Sequence, residues 1–263
     1  MPVSGKERAP VVAVANRLPV HQGPDGWQLS PGGLVTALRP VMEQGTGTWV
    51  GWDGGATGTP ARLPAMTVDL QPVALSPEAV ADYYHGFSNR TLWPLLHDVV
   101  EKPVYDRDWW RAYREVNTSF ADAAVEALRA LPGALLWVHD YHLMLVPELV
   151  RERLPEQRIG FFLHVPWPSP DLYVRLPWRA ELLRGLLGAD VVSFHIERYR
   201  RNFVQACRRL LTVDGVTVQA GEVVVPGGRS VRATASPISI DTGELSATAR
   251  STATDVELEA LEE

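Results

Sequence analysis

Hydrophobic residues along the chain gather into short runs set off by breakers: VVAVAN (11–16), TWVGW (48–52), MTVDL (66–70), LLWVHD (135–140), IGFFLHV (159–165) and DVVSFH (190–195). Each is of strand length and rich in Val, Ile or aromatic residues. Several are apolar at nearly every position, which predicts strands covered on both faces. Between the runs the period changes. Tyr113, Val116, Phe120, Ala124, Leu128 and Leu131 recur at steps of three and four, as do Ile196, Tyr199, Phe203, Cys207 and Leu210, so each set forms one stripe of a helix. Pro132-Gly133 ends the first of these helices. Strand alternating with helix predicts an α/β fold of the doubly wound class, a mostly parallel sheet with helices on both faces. The stretch EVVVPGGRSVRATAS (222–236) reads as an antiparallel hairpin appended to that sheet. YYHGFSNRTLWP (83–94) follows neither period and is expected to be a loop. After Ile240 the chain is small, polar and acidic, so one domain is expected over 1–240, followed by an acidic linker or tail over 241–263.

Composition narrows the function classes. With 263 residues, 46% of them hydrophobic, the chain can bury a full core. No stretch approaches the roughly 18 consecutive apolar residues of a membrane helix, and MPVSGKERAP carries no apolar signal region, so a cytoplasmic protein without a membrane partner is expected. The single cysteine, Cys207, excludes an internal disulfide framework and a cysteine-based zinc site, and reads as a buried apolar residue. Net charge is −6, and the seven acids and one base of residues 241–263 account for all of it. The other 240 residues are balanced, so no basic field invites nucleic acid. RYRRNF (198–203) reads as a solvated helix face.

Candidate chemistry collects at strand ends. VVAVAN ends in Asn16-Arg17, TWVGW in Trp52-Asp53, LLWVHD in His139-Asp140, IGFFLHV carries His164, and DVVSFH ends in His195. In doubly wound sheets ligands bind in the crevice outside the carboxyl ends of the strands, so five strands deliver polar groups to one edge. SPGGLVTAL (30–38) opens a helix with Gly32 and Gly33, where free N–H groups and the dipole favour an anion such as a diphosphate. It lacks the G-x-G-x-x-G pattern of nicotinamide dinucleotide sites. Arg17 adds a bidentate phosphate donor. Tyr83, Tyr84, Phe87 and Trp93 could form sugar platforms or simply pin their segment to the core. A metal site is not expected: His139 and His142 are three apart and no H-E-x-x-H pattern occurs. Ser-His-Asp hydrolysis lacks a G-x-S-x-G elbow.

Taken together, ANRLPV, SPGGLVTAL, WVGW, GFSNRTLWPLLHD, WVHDYHLMLVP, RIGFFLHVPWPSP and LPWRAELLRGLLGAD resemble, in order over residues 11–211, the retaining sugar-nucleotide glycosyltransferases of the trehalose-6-phosphate synthase type. The resemblance implies a GT-B fold of two Rossmann-like domains, of which this chain is the N-terminal, acceptor-binding half. It implies transfer of glucose from UDP-glucose, or a related nucleotide sugar, to glucose-6-phosphate, with no cofactor or metal and with the nucleotide sugar as substrate. By motif position Arg17, Tyr84 and Trp93 are expected to hold the acceptor, Asp140 to bond its hydroxyls, and His164 to meet the donor glucose. Gly33 and Trp52 are expected beside the donor diphosphate. Asp140 and His164 are thus the catalytic candidates, framed by His139, Tyr141 and His142 bonded to neighbouring backbone. Ala15 stands where the family has Ser, and Ser239 where a Gly-Ile-Asp stretch is usual. The sequence stops at Glu263, before the family's second domain with its diphosphate-binding arginine and lysine, so the chain alone is expected to bind acceptor better than it turns over donor. Its expected partner is that C-terminal domain or a full-length synthase. The alternatives are a sugar-phosphate-binding or regulatory domain without activity, and a pseudo-glycosyltransferase.

Overall fold

A computed structural model of the chain describes residues 9–23, 26–43, 45–55, 60, 62, 68–239 and 242–251. The first half runs β1 (Val11–Arg17), β2 (Val20–Gly23), β3 (Gly26–Leu29), α1 (Gly33–Glu43), β4 (Gly47–Trp52), β5 (Asp69–Val73), α2 (Pro77–Ala79), a π-helix (Val80–Leu92), α3 (Trp93–His97) and α4 (Arg107–Ala130). The second runs β6 (Leu135–His139), α5 (Val146–Arg153), β7 (Ile159–Phe162), α6 (Pro170–Tyr173), α7 (Arg179–Leu187), β8 (Val191–Phe194), α8 (Glu197–Leu210), β9 (Thr217–Gln219), β10 (Glu222–Val224), β11 (Ser230–Ala235) and α9 (Thr242–Ala249). Among the described residues nine strands form one sheet in the order β5-β4-β1-β6-β7-β8-β11-β10-β9. The strands from β5 to β11 in that order are parallel, and β10 and β9 are antiparallel additions at the far edge.

Strands apolar at every position pack two cores. Val12 and Val14 of β1 point into the large core with Phe120 and Ala124 of α4, while Ala13 and Ala15 point the other way, onto Leu38 and Met42 of α1. Leu136 and Val138 of β6 repeat the alternation, with Trp137 on the α1 side. The doubly wound, mostly parallel expectation holds. The 222–236 hairpin forms as β10 and β11, and β11 also pairs in parallel with β8, so it extends the sheet rather than hanging from it.

Two local expectations change and two elements are added. Residues 83–94 are helical, not a loop: a π-helix passes into α3, and Trp93 N–H donates to the Ser88 carbonyl five residues back. The wider i→i+5 turn spaces its apolar residues off the 3.6 stripe, which is why the segment lacks an α-helical period. Gly86 lets the Trp109 indole pack against this helix, since a Cβ there would lie 2.7 Å from the ring. The strand expected at 66–70 lies at Asp69–Val73, paired with Thr48–Trp52, and residues 66 and 67 fall outside the described residues. The hairpin β2–β3 interrupts the path from β1 to α1; its sequence signal is the Pro24-Asp25-Gly26 run between alternating segments. The polar stretch after Ile240 includes the helix α9, whose described side chains are exposed.

Gly51 sets the spacing of β1 and β4 where the site begins. A Cβ on it would fall 2.5 Å from Arg17 C and Leu18 N, both backbone atoms that cannot swing away. Gly51→Ala is expected to cost about 1–3 kcal/mol in urea unfolding. Gly160→Ala in β7, whose Cβ would meet only the Trp137 side chain at 3.6 Å and a backbone oxygen at 4.0 Å, should stay within about 1 kcal/mol of wild type. Equal losses in the two variants would refute the close-approach argument.

Candidate active site at the carboxyl edge of the sheet

Chain order reverses between β1 and β6: β4 and β5 lie on one side of β1, and β6, β7 and β8 on the other. The crevice outside the carboxyl ends at such a reversal is the natural ligand site of this architecture. Asn16 and Arg17 end β1 there, and His139 and Asp140 end β6.

A bulge aims Arg17. The ladder advances from Val14 to Arg17 on β1 while β4 advances only from Val50 to Trp52, and such an extra residue turns a strand end and its side chain. Leu18 N–H donates to the Trp52 carbonyl at 2.9 Å and Trp49 Nε1–H to the Arg17 carbonyl at 3.2 Å. The guanidinium carbon thereby lies 4.5 Å from the Trp52 ring centroid and 5.6 Å from that of Tyr84. Among the described residues no carboxylate pairs with it. A guanidinium stacked on two rings is held flat while its N–H fork stays available to an oxyanion.

The π-helix closes the floor through three contacts. Tyr83 OH donates to Asn16 Oδ1 at 2.9 Å, Tyr84 stacks on His142 at 5.7 Å and 17°, and Asn89 Oδ1 accepts from Tyr141 OH at 3.1 Å. Trp93, 43% exposed, packs at a tilt on His97 at 3.7 Å and meets Tyr141, 5.8 Å away.

Asp140 carries backbone strain. Its φ of 74° and ψ of 167° lie in a region that is essentially glycine's alone and costs about 1–3 kcal/mol for other residues. Its N–H donates to the Phe162 carbonyl at 2.8 Å, its carbonyl accepts from Leu143 N–H at 3.1 Å, and its Oδ1 accepts from His164 N–H at 3.2 Å. The side chain is 20% exposed. Burial pushes its carboxyl up to about 6, against the backbone N–H groups of Tyr141 and His164, which pull it down.

The imidazoles around it are neutral. Burial, then the charge of Arg17, pushes His142 down to about 3; burial, then His195, pushes His164 down to about 4; and burial, then His164, holds His139 well below its usual value. The 3.9 Å approach of His142 Nδ1 to Asp140 Oδ2 is therefore no ion pair. Among the described residues neither His139 nor His142 is tied to backbone through its ring, nor Tyr141 through its hydroxyl, which bonds Asn89, contrary to the expectation for all three. His139 Nδ1 lies 3.1 Å from His164 Nε2, because β6 and β7 are neighbours, and both ring nitrogens of His142 are buried without a partner. The backbone around them is what is bonded: Tyr113 OH donates to the Tyr141 carbonyl and Asn117 Nδ2 to the His142 carbonyl.

Of the expected site residues, Arg17, Trp52, Tyr84, Asp140 and His164 are joined by one chain of contacts through His142, and Trp93 meets its edge at Tyr141. Gly33 opens α1, exposed, and no hydrogen bond among the described residues joins it to the cluster. Asp53 turns away to accept from Gly55 N–H at 2.8 Å. Asn89 has no signal in the sequence beyond its place between aromatics.

Comparison with known proteins bears on this crevice. The model of glycosyltransferase family 20 matches residues 6–263. This chain belongs to that family. The family 20 chain is 48% identical over 254 residues to a trehalose-6-phosphate synthase of Mycobacterium ulcerans, covering 91% of this chain and 50% of the relative. It thus spans about half the length of the curated relatives it matches. A solved structure described as trehalose-6-phosphate from E. coli bound with UDP-2-fluoro glucose superimposes with a TM-score of 0.77 at 28% identity, over 96% of this chain and 54% of that one. The N-terminal domain of a Candida albicans trehalose-6-phosphate phosphatase superimposes with a TM-score of 0.78 at 26% identity, over 100% of this chain and 56% of that one.

The raised Asp140 carboxyl makes a stability prediction for the family 20 chain. Between about pH 4 and 6 the folded state keeps a proton that the unfolded chain has lost, so this residue lowers stability as pH rises through that window. Asp140→Asn removes the charge and keeps an Oδ1 acceptor for His164. The variant is expected to exceed wild type by about 2 kcal/mol near pH 7.5 and to match it near pH 4. The buried neutral histidines destabilise both proteins alike as pH falls below their unfolded values, so they cancel in the difference. Urea titrations giving a pH-independent gap would refute this origin.

Proposed function

We propose that this chain is the acceptor-binding half of a UDP-forming trehalose-6-phosphate synthase, transferring glucose from UDP-glucose, or a related nucleotide sugar, to glucose-6-phosphate with retention. One observation carries the reading: a guanidinium without a carboxylate partner among the described residues, stacked on Trp52 and Tyr84 and linked through the Tyr84–His142 stack to a half-buried carboxylate, at the strand reversal. That pairing suits a ligand with phosphate at one end and hydroxyls at the other. The family membership and the UDP-2-fluoro glucose bound by the E. coli relative support the donor class.

In this reading Arg17 takes the acceptor phosphate, Tyr84 and Trp93 flank the sugar, and Asp140, ionised at neutral pH, accepts from its hydroxyls. His164 meets the donor glucose, and Trp52 with the Gly33 end of α1 lies along the diphosphate path. The acceptor oxygen attacks the anomeric carbon from the face the diphosphate leaves, and the departing phosphate oxygen takes the hydroxyl proton. The protein positions and stabilises, so no nucleophilic side chain, metal or cofactor enters the scheme. Residues 1–240 act as the acceptor domain and 241–263 as a linker, with the nucleotide-binding domain supplied by further chain or by a full-length partner. In this reading the site of action is the cytoplasm, which suits a chain whose single cysteine is free and buried. A second reading is a sugar-phosphate-binding domain without turnover, with which a likeness to the N-terminal domain of a protein named as a phosphatase is compatible.

Calorimetry with glucose-6-phosphate tests what both readings share. Wild type is expected to bind, and Arg17→Ala to bind at least about tenfold more weakly, as loss of a charged phosphate contact implies. No heat from wild type at millimolar ligand, or equal affinity in the variant, would sink both. Adding the C-terminal half of a family 20 synthase in trans separates them: trehalose-6-phosphate forms only under the first.

A further inference from the structure

The row of imidazoles across the ends of β6, β7 and β8 contains a proton arrangement that the packing determines. His139 pairs with Phe162 in the β6–β7 register, and His164 follows two residues after Phe162, so its ring returns to the same face beside His139. Trp137 packs 4.5 Å from the His139 ring, while Phe162 at 4.6 Å and His195 at 6.0 Å confine His164. His164 N–H donates to Asp140 Oδ1, which fixes its backbone as well. With both rings neutral, each carries one proton. His139 Nδ1 and His164 Nε2 lie 3.1 Å apart, so one nitrogen bears the hydrogen and the other accepts it.

The surroundings of His139 choose between the two arrangements. Its ring is wholly buried and its Nε2 has no partner. If His164 donated, that Nε2 would carry an N–H with nothing to accept it. An orphaned buried donor is rarer in native structures than an under-satisfied acceptor, and this one would add to those at Trp52, Trp167 and His142. If His139 donates, Nε2 holds only a lone pair. His164 Nδ1 has no protein partner and is absent from the buried, unpartnered atoms, so it reaches the crevice.

We propose that His139 is a positioning residue: its Nδ1–H donates to His164 Nε2 and fixes His164 as the Nδ1–H tautomer, a hydrogen-bond donor presented to a hydroxyl of the sugar in the crevice. The identity of that sugar as the donor glucose rests on the function proposed above; the tautomer does not.

Long-range proton–nitrogen correlation of the full chain with nitrogen-15 histidine tests it. Wild type should give His164 Nδ1 a protonated, pyrrole-type shift and Nε2 a bare, pyridine-type shift. His139→Asn, whose amide N–H stands where Nδ1 stood, should keep that pattern, whereas His139→Leu should move much of His164 to the Nε2–H form. An Nε2–H His164 in wild type, with His139 Nε2–H turned onto Trp137, overturns the proposal. So does a pattern unchanged in His139→Leu. If the leucine variant fails to fold, the wild-type spectrum alone decides. With a family 20 C-terminal half supplied, His139→Leu should lower kcat/KM for UDP-glucose about tenfold and His139→Asn less than about threefold, the scale of one hydrogen bond. Equal losses in the two variants count against a positioning role. Wild type with no turnover would overturn the function proposed above and leave the tautomer result standing.

Discussion

The crevice depends on the backbone of Asp140, held where glycine would be at ease and aspartate is not. Three hydrogen bonds, to Phe162, Leu143 and His164, keep it there, and each ties a different part of the site to the end of β6. The conformation turns the chain so that Tyr141 and His142 face the π-helix, while the carboxylate reaches β7. Relaxing it would release the Tyr84–His142 stack and the His164 backbone together.

The charge layout is spare. One guanidinium and one carboxylate sit among rings that burial keeps neutral, so among the described residues neither charge is neutralised by a protein partner. The cost of holding Asp140 half-buried in a strained conformation is offset by the large core, which runs from Phe120 of α4 to Phe203 of α8. Stability given up at a binding site and recovered in the core is the usual trade between stability and function. Of the neutral imidazoles His164 alone keeps a ring nitrogen outside the buried set, which in the function proposed above suits a hydroxyl without adding charge.

Much of this was legible in the residues. Apolar runs such as VVAVAN and IGFFLHV placed the central strands, because only strands covered on both faces are apolar throughout. Polar groups at their ends placed Arg17, Asp140 and His164 at one edge before any coordinates. The π-helix leaves no period of 3.6 in the residues, because Tyr83, Tyr84 and Asn89 obey a wider turn. The roles of His139 and His142 were also hidden, since their partners come from neighbouring elements: His164 from β7's end and Tyr84 from the π-helix.

What the residues determined by themselves is the class of fold, the edge at which polar groups gather, and the family, since all three follow from local patterning and ordered motifs. Tertiary structure decided the rest. The bulge that lays Arg17 over Trp52, the strain at Asp140, and the single donor direction left to the His139–His164 pair each arise from atoms brought together across the sheet. Strand pairing, burial and the loss of water set those geometries, and none of them is a property of any one segment of the chain.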